Sequence, residues 1–153
     1  MDMSRTLHEQ VVEDLYAEAL LLADEARAAF DIRNESSRSE TADAVRIALS
    51  IEGLRTTTRV MHVLAWLLNQ RAFYSGELSE SQLRRYGSLG DERPSDPKSL
   101  ALLEPATRAL IRETERLHAR VERIAAEQRA TGLAANDPIG AMQGRIAQAF
   151  KAG

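Results

Sequence analysis

Apolar residues recur with a helical period along almost the whole chain. Between residues 6 and 29 they stand three and four positions apart, the spacing of one buried face of a helix. Thr6 and Glu9 have the spacing of a capping box, in which each side chain binds a free backbone amide at a helix start. The pattern predicts a first helix from Thr6 to about residue 31. Its seam, the line of apolar residues expected to face the other helices, would consist of Val12, Leu15, Ala19, Leu22, Ala26 and Ala29.

The second predicted helix, over about residues 40–75, is the one around which the others are expected to pack. Its middle, from Val60 to Leu68, is apolar on nearly every side. The seam expected to face the bundle consists of Ile47, Ile51, Leu54, Thr58, Met61, Ala65, Leu68 and Ala72. A second apolar set consists of Val60, Val63, Leu64, Trp66 and Leu67. A helix with two apolar sides is either surrounded within its own fold or meets another chain on one side.

Turn residues divide the remainder of the chain. Gly76 is placed to end the second helix in a left-handed cap. Residues 79–82 fit a capping box for a short helix that stops at Gly87, and residues 87–97 read as a loop. Asp96 followed by Pro97 predicts the start of a third helix, which would end near Thr131 with Gly132 as its C-cap. The heptad of this helix consists of Leu100, Leu103, Thr107, Leu110, Thr114, Leu117, Val121, Ile124 and Gln128.

Three long helices with similar apolar periods predict an all-α fold, an antiparallel three-helix bundle. The bundle would cover residues 1–131. Residues 132–153 would form a short C-terminal tail, flexible or weakly helical, because so short a segment is not a stable helix by itself.

Composition limits the classes of function. The net charge of −3 argues against a nucleic-acid-binding protein, for which a strongly basic face is expected. The chain has no cysteine, so a thiolate metal site and a disulfide framework are both impossible. No apolar run has the roughly 20 residues that a bilayer requires, and the N-terminus lacks an apolar leader. A cytoplasmic protein that does not contact the membrane is expected.

Candidate chemistry is limited to one weak motif. Glu115 and His118 have the Glu-x-x-His spacing that supplies half of a di-iron carboxylate site in helical bundles. The other histidines, His8 and His62, do not complete a second half, so Glu115 and His118 are read as a solvated surface pair. No catalytic, cofactor or metal site is expected, and the protein is not expected to be an enzyme. The competing enzymatic hypothesis is a metal-dependent helical-bundle enzyme that uses Glu115 and His118.

Two groups of side chains are candidates for protein binding. His62, Trp66, Gln70 and Phe73 share one side of the second helix, about 100° from its seam, and an aromatic pair with a polar rim is typical of interfaces. The alternative is that the loop before the third helix covers Trp66. On the third helix, Arg108, Arg112 and Arg116 stand four residues apart in a row that continues to Arg120. They form either a solvated face or a basic band for an acidic protein partner.

The second helix also carries a family resemblance. Residues 52–72, followed by Gly76 and Glu77, contain the blocks Thr-Thr-Arg, Trp-Leu-Leu and Gln-Arg-Ala in an order and spacing that resembles the RcdA family, the regulators of CtrA degradation of alphaproteobacteria. The resemblance implies a three-helix bundle that tends to form a homodimer, with a flexible C-terminal tail. It further implies a protease adaptor without an active site.

The expected function is therefore that of a non-enzymatic adaptor resembling RcdA, which helps deliver cell-cycle regulators such as the response regulator CtrA to the ClpXP protease. The resemblance implies partner adaptors of two kinds, a response regulator and a cyclic-di-GMP-binding protein. The alternative is a helical interaction module, or a transcription-linked one, without a role in proteolysis.

Overall fold

The computed structural model describes residues 3–31, 43–135, 146–147 and 149–151, and all the regular structure in these ranges is helical. The all-α class predicted from the sequence is confirmed. The helices are α1 (Met3–Ala29), α2 (Asp43–Tyr74), α3 (Glu80–Tyr86), α4 (Pro97–Ala101) and α5 (Pro105–Ala135). The described residues near the C-terminus, 146–147 and 149–151, are also helical. The segment between the first two predicted helices, residues 32–39, lies outside the described residues.

The chain divides into two compact units, residues 1–120 and 121–153. The first unit contains α1 to α4 and the first half of α5, and it holds every candidate site discussed below. In the second unit, Val121 and Ala125 are buried, and the hydroxyl of Thr131 donates to the carbonyl of Glu127 (2.9 Å). Because α5 continues to Ala135, Gly132 does not cap it, which corrects the predicted helix end. The boundary predicted at residue 131 stays a prediction.

Helices α1 and α2 pack against each other in antiparallel directions. Arg71, near the end of α2, donates to Glu13 near the start of α1 (2.7 Å), whereas Phe30, just beyond α1, lies against Gly53. A Cβ atom on Gly53 would come within 3.0 Å of the Phe30 ring, so glycine permits this close approach. The predicted α1 seam is buried from Val12 to Ala26.

The first half of α5 runs parallel to α2, whereas consecutive long helices of the predicted bundle would have been antiparallel. Ala48 of α2 shares an apolar cluster with Ile111 of α5, and further along both helices Arg59 donates to Thr114 (3.1 Å). Antiparallel packing was expected because short connections force neighbouring helices to reverse. Here residues 75–104 run back along α2 before α5 begins, and this long return allows the parallel direction.

The caps predicted at residues 76, 79 and 96 are present, but α1 begins at Met3, so Thr6 lies inside the helix and the start predicted there was wrong. The third predicted helix is interrupted. Gly76 has φ +83°, and Ser79 forms the capping box with Gln82 that begins α3. Asp96 caps α4, with Pro97 in the first turn, as predicted. Helix α4 then ends at Ala101 instead of continuing into α5, because Pro105 has no amide to donate and disfavours helical backbone in the residue before it.

The face of α2 that is buried is not the one predicted. Val60, Val63, Trp66 and Leu67 are buried, together with four polar side chains. Those polar residues are Glu52, Thr56, Arg59 and Gln70. The predicted seam instead faces outward, so its assignment to the bundle interior was wrong. The inner face is the more polar of the two, and for that reason apolar periodicity selected the outer one.

Candidate protein-binding surfaces

The outer face of α2 forms a continuous apolar surface, called here the α2 stripe. It consists of Ile47, Ile51, Leu54, Thr58, Met61, Ala65 and Leu68. Ile47 is 59% exposed, Leu54 71% and Met61 63%. The members alternate four and three residues apart, which is the spacing of a coiled-coil seam, and the stripe is about 31 Å long. A soluble protein seldom exposes a large contiguous apolar patch unless it binds something there.

Charged residues beside the α2 stripe are paired within the chain. Arg55 donates to Glu52 (2.8 Å) and Arg71 to Glu13 (2.7 Å). At the N-terminal end of the helix, Arg46 pairs with Asp43. The stripe is therefore bordered by neutralised charges, and an apolar partner can approach it without meeting an unpaired arginine on these flanks.

The surface predicted around Trp66 is not formed. Trp66 and Gln70 each keep only 2% exposure, while His62 and Phe73 are half-buried. The Phe73 ring lies 5.5 Å from that of Tyr74, whose pKa is raised by burial and by the nearby carboxylate of Glu9. Trp66 belongs to the inner face of α2, and the alternative that a loop covers it fits the contacts below.

Residues 87–96, called here the strap, run back along α2 without regular secondary structure. Arg59, 2% exposed, holds the middle of the strap. Its guanidinium donates to the Glu92 carboxylate (2.7 Å), to the carbonyl of Arg93 (3.1 Å) and to the hydroxyl of Ser95 (3.4 Å). A guanidinium has five N–H donors, so a single buried side chain can fix several strap groups at once.

Two further buried side chains hold the ends of the strap. The carboxylate of Glu52, which is fully buried, accepts from the backbone amide of Asp96 (3.1 Å). His118 of α5, 1% exposed, has Nε2 3.3 Å from the carbonyl of Gly90 and Nδ1 3.5 Å from the Glu92 carboxylate. At Gly90 a Cβ atom would lie 2.5 Å from Nδ1 of His62, so the strap touches α2 here.

The burial of His118 corrects the solvated pair predicted from the Glu-x-x-His spacing. Glu115 is half-buried and His118 almost fully buried, because the strap covers this side of α5. Among the residues that the structure describes, no three histidine or carboxylate side chains are placed to hold a metal ion. In this part of the chain the motif contributes a strap contact.

The arginine row on α5 lies partly in solvent. Arg112 and Arg116 are exposed and Arg108 is half-buried, whereas Arg120 pairs with Glu18 of α1. The first three form no ion pair within the described ranges. They remain candidates for contact with an acidic partner.

Sequence reasoning missed the residues that hold the strap, Arg59, Glu52 and Glu92. A signal was present, because Glu52, Arg59, Trp66 and Phe73 recur every seven residues and so share one line along the helix. Two charged residues on the same line as a tryptophan, within an apolar segment, indicate buried polar partners elsewhere in the chain.

Residues 3–150 match the family described as "Protein of unknown function (DUF1465)". The chain belongs to this family. No curated protein and no solved structure matches it. Within the described residues of this family member, none of the helices has the length and apolar character needed to cross a membrane.

Proposed function

We propose that this protein is a non-enzymatic cytoplasmic adaptor that resembles RcdA and helps deliver cell-cycle regulators, such as the response regulator CtrA, to the ClpXP protease. The observation that carries the proposal is the exposed α2 stripe, because an adaptor acts through surfaces that bind other proteins. An adaptor accelerates proteolysis by raising the local concentration of the substrate at the protease. The blocks that resemble RcdA lie in the same helix as the stripe.

The α2 stripe is proposed to bind a second copy of the chain. Its heptad spacing makes the stripe complementary to itself, since the same knobs and holes are present on both copies. The arginines beside it are already paired, so two copies meet without repulsion between like charges. Arg112 and Arg116 lie on another helix and would stay exposed in such a homodimer. The dimer would therefore present two copies of this arginine pair to acidic surfaces of substrates or partner adaptors.

The direct test is degradation of purified CtrA by the matching ClpXP together with its partner adaptors, with and without this protein. We expect faster loss of CtrA when the protein is present. An Arg112→Glu, Arg116→Glu variant should reduce the acceleration without lowering the free energy of unfolding, because both residues are exposed. An unchanged rate with every partner present would contradict the protease role. A helical interaction module would then be the better description, and copurification with other proteins would identify its partners.

Self-association gives a separate prediction. The double substitution Leu54→Glu, Met61→Glu places two carboxylates in the middle of the α2 stripe. We expect it to weaken dimerisation by at least about a hundredfold, because each copy would have to bury like charges at the interface. Sedimentation velocity over a range of protein concentrations measures the effect. The matched control is Leu21→Glu, a similar change at an exposed leucine of α1. A wild-type protein that stays monomeric at all concentrations would refute the proposed dimer.

A further inference from the structure

The strap is attached to the helices mainly by polar groups. Arg59, Glu52 and His118, which hold it, are each at least 98% buried. The strap itself has no fully buried residue, and Pro94 is exposed. The strap contacts charged and polar side chains of α2 and α5 through one carboxylate and through backbone groups.

Several buried polar atoms of α2 and α5 make no hydrogen bond in the part of the chain that the structure describes. The buried polar atoms that make no hydrogen bond within the described chain are Glu52 Oε2, Thr56 Oγ1, His62 Nδ1, Glu115 Oε1 and His118 Nδ1, although the last lies 3.5 Å from the Glu92 carboxylate. All five belong to the two helices that contact the strap, α2 and α5. Because an unpaired buried polar atom is unfavourable, several of them on the two helices that hold the strap require an explanation.

The path of the strap also passes the segment of α2 that contains Trp66. Asn69 donates to the carbonyl of Tyr86 (3.4 Å) at one end of this path, and Arg59 binds Glu92 further along it. Trp66 lies between these two attachment points, seven residues beyond Arg59 on the same side of the helix. Release of the strap would therefore open the stretch of α2 between Arg59 and Asn69, in which Trp66 lies.

We propose that the groove between α2 and α5 is a peptide-binding site, which the strap occupies within the same chain, and that an extended acidic segment of a partner protein binds there in its place. The inference concerns a different face of α2 from the proposed dimer and does not depend on a role in proteolysis. The strap shows what the site accepts, since its contacts are those that a bound peptide would make.

Those contacts specify the chemistry of the partner. The site takes a carboxylate at the position of Glu92, where Arg59 and His118 meet it. It takes a glycine two residues earlier, because a side chain at Gly90 would collide with His62. After the carboxylate it binds backbone carbonyl and amide groups, which any extended chain supplies. The expected partner segment therefore contains glycine, any residue and then an acidic residue.

The test uses a synthetic peptide with the sequence of residues 87–97 and a second peptide in which glutamine replaces the glutamate. Each is titrated into the full-length protein, wild type or Glu92→Gln, and binding is followed by calorimetry and by the emission of Trp66, the sole tryptophan. Glu92→Gln removes the charge that holds the strap, so a larger fraction of molecules has an open site. We expect this variant to bind the glutamate peptide about tenfold or more tighter than wild type does, and to prefer it to the glutamine peptide by a similar factor.

The matched control is Asp91→Asn, which removes one exposed strap carboxylate next to Glu92. It should bind the peptide no better than wild type. A second route to an open strap is Gly90→Ala, which leaves Arg59, His118 and Glu92 unchanged and provides the test if Glu92→Gln does not fold. Equal affinity of an opened variant for the two peptides, or no binding at millimolar peptide, would overturn the proposal and leave the strap a fixed part of the fold.

Discussion

Replacing Leu67 with alanine is expected to lower the free energy of unfolding by about 2–5 kcal/mol, whereas the same change at the next residue, Leu68, should cost less than about 1 kcal/mol. Leu67 is fully buried and Leu68 is 47% exposed. Truncating a buried leucine removes its transfer free energy and leaves a cavity, but truncating an exposed one leaves only a smaller surface. Urea denaturation followed by circular dichroism measures both values.

The comparison needs one precaution, because Leu68 belongs to the α2 stripe. Both variants should be unfolded at a concentration at which sedimentation shows only monomer, so that loss of dimerisation does not add to the result. The two leucines have identical chemistry and adjacent positions, so each is the control for the other. A larger loss of unfolding free energy for Leu68→Ala than for Leu67→Ala would mean that Leu68, and not Leu67, lies on the buried face of α2.

This pair of residues also shows which parts of the fold the sequence could predict. Helices α1 and α5 each have one apolar side. The buried seam of α1 was predicted from Val12 to Ala26, but that of α5 was predicted only in part, because Ile111, His118 and Ala125 are also buried. Helix α2 has two apolar sides, so periodicity could not decide between them. The buried side carries Glu52 and Arg59 because their partners are in the strap, which is more than thirty residues away. No local pattern records a pairing at that distance.

Arg59→Ala is expected to be among the most destabilising single changes in the protein, with a loss of about 3 kcal/mol or more. The guanidinium is almost fully buried and binds four groups, in the strap and in α5. Its removal would leave the Glu92 carboxylate, still three-quarters buried, without its cation. Equilibrium unfolding in urea gives the loss. Arg112→Ala is the matched control, since an exposed arginine should change the free energy of unfolding by no more than about 0.5 kcal/mol.

A second measurement separates the ion pair from simple packing. If Arg59 acts mainly through Glu92, the double variant Arg59→Ala, Glu92→Gln should be less destabilised than the sum of the two single variants. Arg59→Lys should recover only part of the stability, because an ammonium cannot reproduce the planar set of guanidinium donors. Strict additivity would show that the two side chains contribute independently, contrary to the 2.7 Å contact between them.

The sequence could predict the exposure of some candidate binding residues but not of others. Arg112 and Arg116 are exposed, as expected for residues on the polar side of a strongly amphipathic helix. Trp66 and Gln70 could not be placed from the sequence, because their exposure depends on whether the strap lies over them. The family resemblance did not help with this question, since matching residues in a helix do not indicate which side of it is covered.

The parallel course of α2 and α5 has a consequence for how the protein is made. Helices α1 and α2 are close in sequence, so they can pair as soon as both have been synthesised, but the ion pair between Glu18 and Arg120 spans 102 residues. During translation, a nascent chain that ends shortly after α2 therefore exposes the outer face of that helix and the part of the inner face that α1 does not cover. This part stays open until the strap and α5 have emerged. We expect this interval to be the period of greatest risk of aggregation and of greatest dependence on chaperones.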